Sequence, residues 1–482
     1  MSLNKFEAIL SSHRKAFFVY VRCILFFSLF FLISCASEMQ KNSLDKFNSL
    51  YNTGQYTEAA NLELLEKGEK KSDPSNLLQS LQAAASLRCA KQYEKSSELF
   101  DECEEIIKYH NEQLLAVNVA SKVGATLLND AILDFKGHEY DGIMVNTYKA
   151  LNFWQLGERD KARVEFNRAL DRQRRARERF AAEIAKQKEE LKEKQDEEKK
   201  KKSTLDFSKN LSNPEIEKIL KNKYSNLYEY SAYPDFVNPF TTYIAGLFFM
   251  SEGDYTKASD LLKEAYGMVS ECPAVSNDFA IVENILDGSP DKKNYTWVIF
   301  ENGLGPVKEE FRIDLPLMLV TDVVHYTGIA LPKLKFRNKA CEYLSLSNSS
   351  GVAFKTDLLS SMDRVVETEF NKRYPFVLAR AVVSALIKTY GQYLAQSEYG
   401  TLGGLAGAIF QAATTSADIR IWTALPKEFQ IAKIETPKDG IFFLETPSGN
   451  KTRVEVPKNE NSLLYVKIPV LEADAVFDVI KM

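Results

Sequence analysis

The chain has 482 residues, of which 45% are hydrophobic and 27% are charged, so it is long enough for two or three domains with sizeable cores. Its net charge of -4 excludes the overall basic field that attracts nucleic acid. Only four histidines are present, and no spacing among the six cysteines forms a metal motif, which argues against a metal site.

The N-terminus has the pattern of a signal peptide. Four basic residues precede or begin an apolar run over 23–33, which is shorter than the roughly 20 residues that span a bilayer. The run ends in Leu-Ile-Ser-Cys at 32–35, which resembles the lipobox of bacterial lipoproteins. This resemblance implies that residues 1–34 are removed and that Cys35 is acylated. The alternatives are an ordinary signal peptide or an uncleaved anchor helix.

The residue after the predicted lipidation site indicates a location. Ala36 stands where an aspartate would be the usual inner-membrane retention signal, so we expect a lipid-anchored protein of the outer membrane that faces the periplasm. Several acyl chains bind a bilayer stably. Such a compartment permits disulfides, but helical geometry places Cys89 and Cys103 roughly 15 Å apart, too far for a bond.

Residues 35–290 show a repeated helical pattern. The segment 240–267 places small residues at Gly246 and Ala258, where two helices would touch, and Gly253 at the turn between them. Related segments occur near 50–60, 84–103 and 146–170. These segments resemble tetratricopeptide repeats (TPRs), which stack into an array of helix pairs. The charged stretch 171–205 is either a solvated helical extension or linker, or a coiled-coil arm for a partner.

The pattern changes in residues 291–482. Apolar runs bounded by turn residues predict strands within about 295–336 and 422–470, and helical sequence covers about 355–417. The predicted fold class is therefore α+β: a TPR-like helical array followed by a β-rich C-terminal domain with a helical insertion. One arrangement open to these strands places those near 300 and near 440 in one sheet.

Two features of the C-terminal part have competing interpretations. The small-residue segment 400–417 predicts close helix packing in a core, or contact with a membrane. Asp418, Arg420 and Trp422 alternate as on a strand, and we interpret them as a structural clamp between helix and sheet rather than as a binding site.

The repeats supply candidate partner-binding residues. Peptides usually bind the concave face formed by the first helices of such repeats, and Trp154, Arg163, Glu165 and Arg168 are the candidates here, although Trp154 could equally be a core residue. No catalytic serine elbow, zinc-protease helix, dinucleotide fingerprint or phosphate loop is present in the sequence. We therefore expect a protein that is not an enzyme and needs no cofactor.

Several blocks between 135 and 440 together resemble a poorly characterised family of bacterial envelope proteins with TPR-like repeats. The blocks include the sequences around 146–170 and 240–267, GLGPVKEEFRIDLP and ADIRIWTALPKEFQIAK. The family has no established activity. The lipobox-like Cys35, the repeats and the absence of catalytic motifs together favour a scaffold or adaptor that binds protein partners, with cell-wall synthesis as a candidate pathway. A structural component of a large envelope assembly, or an enzyme with a site between the domains, are the alternatives.

Overall fold

The computed structural model describes residues 42–116, 133–200, 214, 218, 237–289, 292–318, 324–445, 449 and 451–482. The fold is a mixture of helix and sheet, which confirms the predicted α+β class. Helices form the N-terminal part, and the strands lie mostly in the C-terminal part.

The N-terminal part is built from antiparallel helices. In chain order they are α1 (42–52), α2 (Tyr56–Lys67), α3 (Leu77–Cys89), α4 (Tyr93–Ala116), α5 (Glu139–Gln155), α6 (Arg159–Lys200), α7 (Pro239–Ser251), α8 (Tyr255–Met268) and α9 (Pro273–Leu286). Short turns join eight of these helices into four helix–turn–helix units, which are α1/α2, α3/α4, α5/α6 and α7/α8.

The four turns have the same conformation. Each contains one residue with positive φ, and these are Gly54, Lys91, Gly157 and Gly253. The N–H of that residue donates to the carbonyl three positions earlier, and the next N–H donates to the carbonyl five positions earlier. This pair of hydrogen bonds is the Schellman motif, which ends a helix and reverses the chain.

Small residues let the two helices of each unit approach. Five residues after the positive-φ position, Ala59, Ser96, Ala162 and Ala258 are all fully buried. In the fourth unit, a Cβ added to Gly246 would come 3.0 Å from the side chain of Leu262 on the facing helix. The four units are therefore equivalent in turn geometry and in the size of the contact residue.

Helix α6 is much longer than its partner α5. It runs from Arg159 to Lys200 without a break, about 63 Å at 1.5 Å per residue. Further along α6, a small apolar cluster contains Ala176, Phe180 and Ile184. In the same part of the helix, Glu183 pairs with Arg373 at 3.0 Å. The charged segment that follows Ile184 is a helical continuation of this repeat helix.

The C-terminal part contains two sheets and a two-stranded ribbon. The strands are β1 (Tyr295–Asn302), β2 (Val307–Met318), β3 (Val324–Lys335), β4 (Ser345–Asn348), β5 (Ala353–Lys355), β6 (Asp357–Ser361), β7 (Glu428–Glu435), β8 (Ile441–Glu445), β9 (Lys451–Glu455), β10 (Ser462–Ile468) and β11 (Val476–Lys481). The central sheet has the order β11-β10-β1-β7-β6, the outer sheet has the order β5-β4-β8-β9, and β2 pairs with β3.

The central sheet joins distant parts of the sequence. Strand β1 pairs in parallel with β10 and antiparallel with β7, so strands near 300 and near 430 are neighbours. Strand β8, near 440, belongs to the outer sheet instead. The first strand expected after Trp422 is β7, which begins at Glu428, and residues 415–427 before it are not part of a ladder.

Helix α10 (Met362–Thr414) packs against the β2–β3 ribbon and reverses direction at Gly400, where φ is 66° and ψ is −150°. The ribbon and α10 have their own apolar core, which includes Leu315, Leu331, Val382 and Leu386. We call the ribbon together with α10 the arm.

The repeated turn gives a direct test of local geometry. Gly253→Ala should lower the free energy of unfolding by about 1–2 kcal/mol, because an alanine is strained at positive φ. A Cβ at this position meets no atom within 4 Å, so the backbone alone is tested. Gly267→Ala in α8 is the control: it also meets nothing within 4 Å and its φ is not positive.

Urea unfolding measures both variants. We expect Gly267→Ala to be neutral or to stabilise by about 0.5–1 kcal/mol, since alanine is the better helix former. Equal effects of the two substitutions would contradict the assigned turn.

Candidate functional site

The first helices of the four units pack against the chain's own C-terminal part. The first helix of each unit contacts the central sheet or the segment 417–427 that precedes β7. From α1, the Tyr51 hydroxyl donates to the Ala424 carbonyl at 3.4 Å, and from α3, Gln82 donates to Thr423 at 2.7 Å. From α7, the ring of Phe240 stacks on that of Phe429.

Burial of the helices confirms this placement. Eleven of the 13 residues of α3 are buried, as are 14 of 17 in α5 and 11 of 13 in α7. In the second helix α8, only four of 14 are buried. A helix buried all round lies inside a core. The helices α3, α5 and α7 are therefore enclosed between their partner helices and the sheet, whereas α1 buries only Phe47 and Tyr51 and α8 is largely open to solvent.

Trp154 is a core residue. It is 2% exposed, and its ring packs edge-on against Phe248 of the next unit with centroids 5.2 Å apart. This burial favours the alternative that Trp154 is a core residue, since its indole is not accessible to a partner. The apolar pattern of α5 is explained by core packing.

The other three candidates lie on α6, where each forms an ion pair. Glu165 is 4% exposed and accepts from Asn146 at 2.6 Å, while it pairs with buried Lys149 at 3.0 Å. Arg168 pairs with Glu165 at 2.8 Å but keeps about half of its side chain exposed (52%). Arg163 pairs with Asp254 of the next unit at 3.2 Å. They lie on a second helix and do not line a concave groove.

The predicted clamp residues form the expected ion pair. Arg420 donates to Asp418 through two nitrogens, Nε at 2.8 Å and Nη2 at 2.9 Å. Trp422 is 2% exposed and packs against Phe100 and Tyr148 of the helical array. The segment thus fastens the helices to the start of β7, although it does so as an extended segment outside the sheet.

A buried ion pair lies where α3 and α5 meet the central sheet. Glu301 on β1 is 1% exposed and accepts from Lys467 on β10 at 2.6 Å and from the Tyr465 hydroxyl. The Arg88 guanidinium of α3 lies 4.9 Å from the Tyr465 ring centroid. These groups border a cavity of about 20 Å³, which has room for a single water.

The ion pair sets the charge states in this region. Burial alone would raise the pKa of Glu301, but the adjacent Lys467 and the hydrogen bonds from Lys467 and Tyr465 outweigh it, so the pKa is lowered. Burial raises the pKa of the neighbouring Cys89 thiol. The arrangement combines a fixed carboxylate with a protonated thiol, which suits a structural ion pair better than a nucleophile.

A second polar network lies at the start of α5. The His138 ring is 3.0 Å from Asp141 through Nδ1 and 3.1 Å from Lys308 on β2 through Nε2. Burial, with Lys308 next in effect, holds the pKa of His138 well below its usual range. The ring is also stacked on Tyr140. His138 is thus held neutral in a packed environment.

Carboxylates from two helices gather beside this histidine. Glu369 of α10 is buried, accepts from the Glu139 backbone N–H at 2.9 Å, and pairs with Arg373 at 2.8 Å. Glu183 pairs with the same arginine. Burial raises the pKa of Glu369 to about 7, against the opposing effect of Arg373. These charges are paired with arginines and join α5, α6 and α10.

Neither network was predicted from the sequence, although the strands of the first network contain a recognisable pattern. Glu301 and Lys467 are single charges inside strongly apolar strands, and a charge buried in such a strand must be paired. His138 and Lys308 are 170 positions apart and carry no such local signal. Cys35 lies outside the described residues. Cys89, Cys103, Cys272 and Cys341 are free thiols.

Comparisons with known proteins give no family for the chain. No protein-family model matches it, and no curated protein matches it. In the part of the chain that the structure describes, none of the helices is long and apolar enough to cross a membrane. Within the same residues, no cluster of His, Cys, Asp and Glu side chains could hold a metal ion.

The buried ion pair predicts a large effect of removing one partner. Lys467→Met leaves the Glu301 carboxylate buried without its cation and should lower the free energy of unfolding by about 3–5 kcal/mol. Adding Glu301→Gln should recover most of that loss. Urea unfolding measures both variants.

Lys293→Met is the control for this experiment, because it removes an ion pair with Glu435 at 2.8 Å in which both side chains are more than half exposed. Its cost should stay below about 1 kcal/mol. If Lys467→Met lowers the free energy of unfolding as little as Lys293→Met does, the Glu301 carboxylate is not shielded from water.

The raised pKa of Glu369 predicts a dependence on pH. The folded protein keeps this proton up to a pH of about 7, whereas the unfolded chain releases it near 4.5, so this group lowers the unfolding free energy as pH rises between these values. Glu369→Gln removes the titration. Relative to the wild type, the variant should gain on the order of 2–3 kcal/mol between pH 5 and pH 8.

Chemical unfolding at several pH values measures this difference. The lowered pKa of His138 makes the unfolding free energy rise with pH, which is opposite to the effect of Glu369. Because His138 is present in both proteins, its titration cancels when the unfolding free energy of the wild type is subtracted from that of the variant. A difference that is constant with pH would show that Glu369 is ionised throughout.

Proposed function

We propose that the protein is a lipid-anchored scaffold of the bacterial cell envelope, attached to the outer membrane through Cys35 and facing the periplasm. The lipobox-like end of the signal segment supports this location. The four equivalent helix–turn–helix units support the binding role, since they resemble TPRs and arrays of such units commonly bind proteins.

The placement of the sheet carries the proposal for where a partner binds. Because the first helices α3, α5 and α7 are enclosed, a partner meets the second helices instead. On α6, exposed residues follow one another at spacings of three and four, which places them on one face. We call this face the outer stripe, and it consists of Lys161, Val164, Arg168, Asp171 and Arg175.

The outer stripe has a basic bias and continues along the helix. Three of its five residues are basic, so it suits a partner surface rich in carboxylates. Beyond Ile184, α6 extends for 16 more residues, about 24 Å, as a charged helix. A partner that binds the stripe could follow this extension away from the body.

Capture of partners from cells tests the proposal. Tagged full-length protein is crosslinked in intact cells and purified, next to a Cys35→Ala variant and a stripe variant with Lys161→Glu, Arg168→Glu and Arg175→Glu. We expect a defined set of partners that is lost in the stripe variant, and that is reduced at least tenfold without Cys35. Quantitative mass spectrometry measures the set.

The matched control reverses three exposed charges elsewhere, with Lys293→Glu, Lys451→Glu and Arg453→Glu on the C-terminal sheets. It should keep the partners. Loss of partners in both triple variants, or in neither, would contradict binding at the outer stripe. Recovery of only further copies of this chain would favour a structural component of a large assembly over a scaffold.

A further inference from the structure

The end of the arm is an exposed apolar surface. Around the reversal of α10, Tyr393, Leu394, Tyr399, Leu402 and Leu405 are between 45% and 77% exposed. Large apolar side chains that are exposed together usually mark a surface that contacts something else. We call these five residues the tip.

The tip is depleted of charge. Between Lys388 and Asp418 the chain carries one charged residue, Glu398, although 27% of the whole chain is charged. Burying a charge in an apolar medium is costly, so a segment that enters such a medium has few of them. The composition of the tip and its flanks therefore matches an apolar environment over nearly 30 residues.

The backbone of the tip is compact and internally bonded. Gly400 occupies a region of φ and ψ that is nearly restricted to glycine. A Cβ on Gly403 would lie 2.1 Å from the Ala395 carbonyl oxygen, so the two helical segments touch backbone to backbone. Gln392 donates across the hairpin to the Gly404 carbonyl at 3.3 Å. In lipid, backbone N–H and C=O groups must be hydrogen-bonded within the protein, and the helical backbone on both sides of Gly400 meets this requirement.

The proposed lipid anchor keeps the body close to a bilayer. Residue 42, where α1 begins, is seven positions after Cys35, and seven residues span at most about 25 Å. Some surface of the body must then face the membrane. This step rests on the acylation that is part of the proposed function.

The distribution of the tip residues favours lipid over a protein partner. Tyr393 and Leu394 are consecutive and point about 100° apart, and Tyr399 lies at the reversal itself. A helix that binds a protein groove presents one stripe, and a stable protein interface needs about 20–30 residues on each side. A narrow end with apolar groups in several directions fits a fluid apolar phase, with tyrosines at the headgroup level.

We propose that the tip inserts into the boundary between headgroups and acyl chains of the bilayer that carries the lipid anchor. The protein then holds the membrane at two points, the acylated cysteine and the arm. Two attachments fix the orientation of the body, whereas a single flexible tether leaves it free to turn. Because the second attachment is intramolecular, a weak contact is sufficient.

Depth-dependent fluorescence quenching tests the proposal. Full-length protein is reconstituted into phosphatidylcholine vesicles with or without brominated acyl chains, and an environment-sensitive fluorophore is attached at Leu402→Cys. Val352→Cys, at a position that is 51% exposed near β5, is the labelling control. Protein without an added cysteine gives the background from native thiols. We expect quenching at 402 and none at 352.

A second pair of variants tests the side chains. Leu394→Ser with Leu405→Ser should weaken insertion of the 402 label by about tenfold or more, because two leucines no longer enter hydrocarbon. Leu286→Ser with Leu358→Ser, at positions of 49% and 50% exposure outside the arm, should leave it unchanged. All four sites are exposed, so we expect the thermal unfolding of the variants to stay close to that of the wild type.

Three results would overturn the proposal. They are no quenching at 402, equal quenching at 402 and 352, and a signal at 402 that disappears when the ratio of protein to lipid is lowered, which would identify a second copy as the occupant. Mass spectrometry of Cys35 on the same sample reports acylation separately. Partner capture that fails while quenching persists contradicts the scaffold and leaves the tip proposal intact.

Discussion

The packing of the central sheet against the first helices is the constraint on which the rest of the structure depends. The first helices of the four pairs present an apolar surface to this sheet. Here Phe429, Trp422 and the strands behind them cover it from within the same chain. One apolar core therefore runs from α1 to β11, and neither part would keep its present surface if the other were removed.

The same packing explains why charged groups are buried at the interface. Where helices meet strands across a fixed distance, polar backbone and side-chain groups must find partners inside. Glu301 with Lys467 satisfies this requirement beside the central sheet, and Arg373 with Glu183 does so where α10 meets α6. Such pairs contribute little net stability compared with apolar residues, but a wrong register leaves a charge alone, which is costly. They favour one alignment of helices and sheet.

The parts of the fold that were predictable are those with local signals. Gly54, Gly157 and Gly253 mark helix turns because only a few residue types tolerate positive φ, and β1, β7 and β10 are apolar runs between turn residues. The packing of the first helices against the C-terminal part was not predictable, since the contact between Gln82 and Thr423 joins positions 341 apart. Trp154 was ambiguous for this reason: burial of α5 depends on an element that only the three-dimensional fold brings there.

Packing of the first helices against the C-terminal part changes how such helix pairs can bind a partner. A free groove binds extended peptides, whereas here the surfaces left for a partner are second helices and projections. The long α6 and the arm are the two projections among the described residues, one highly charged and the other nearly uncharged over its outer part. This contrast in charge assigns them to different environments. The charged helix suits an aqueous protein partner and the apolar tip suits a lipid surface, so a rigid core could hold the two at a fixed separation.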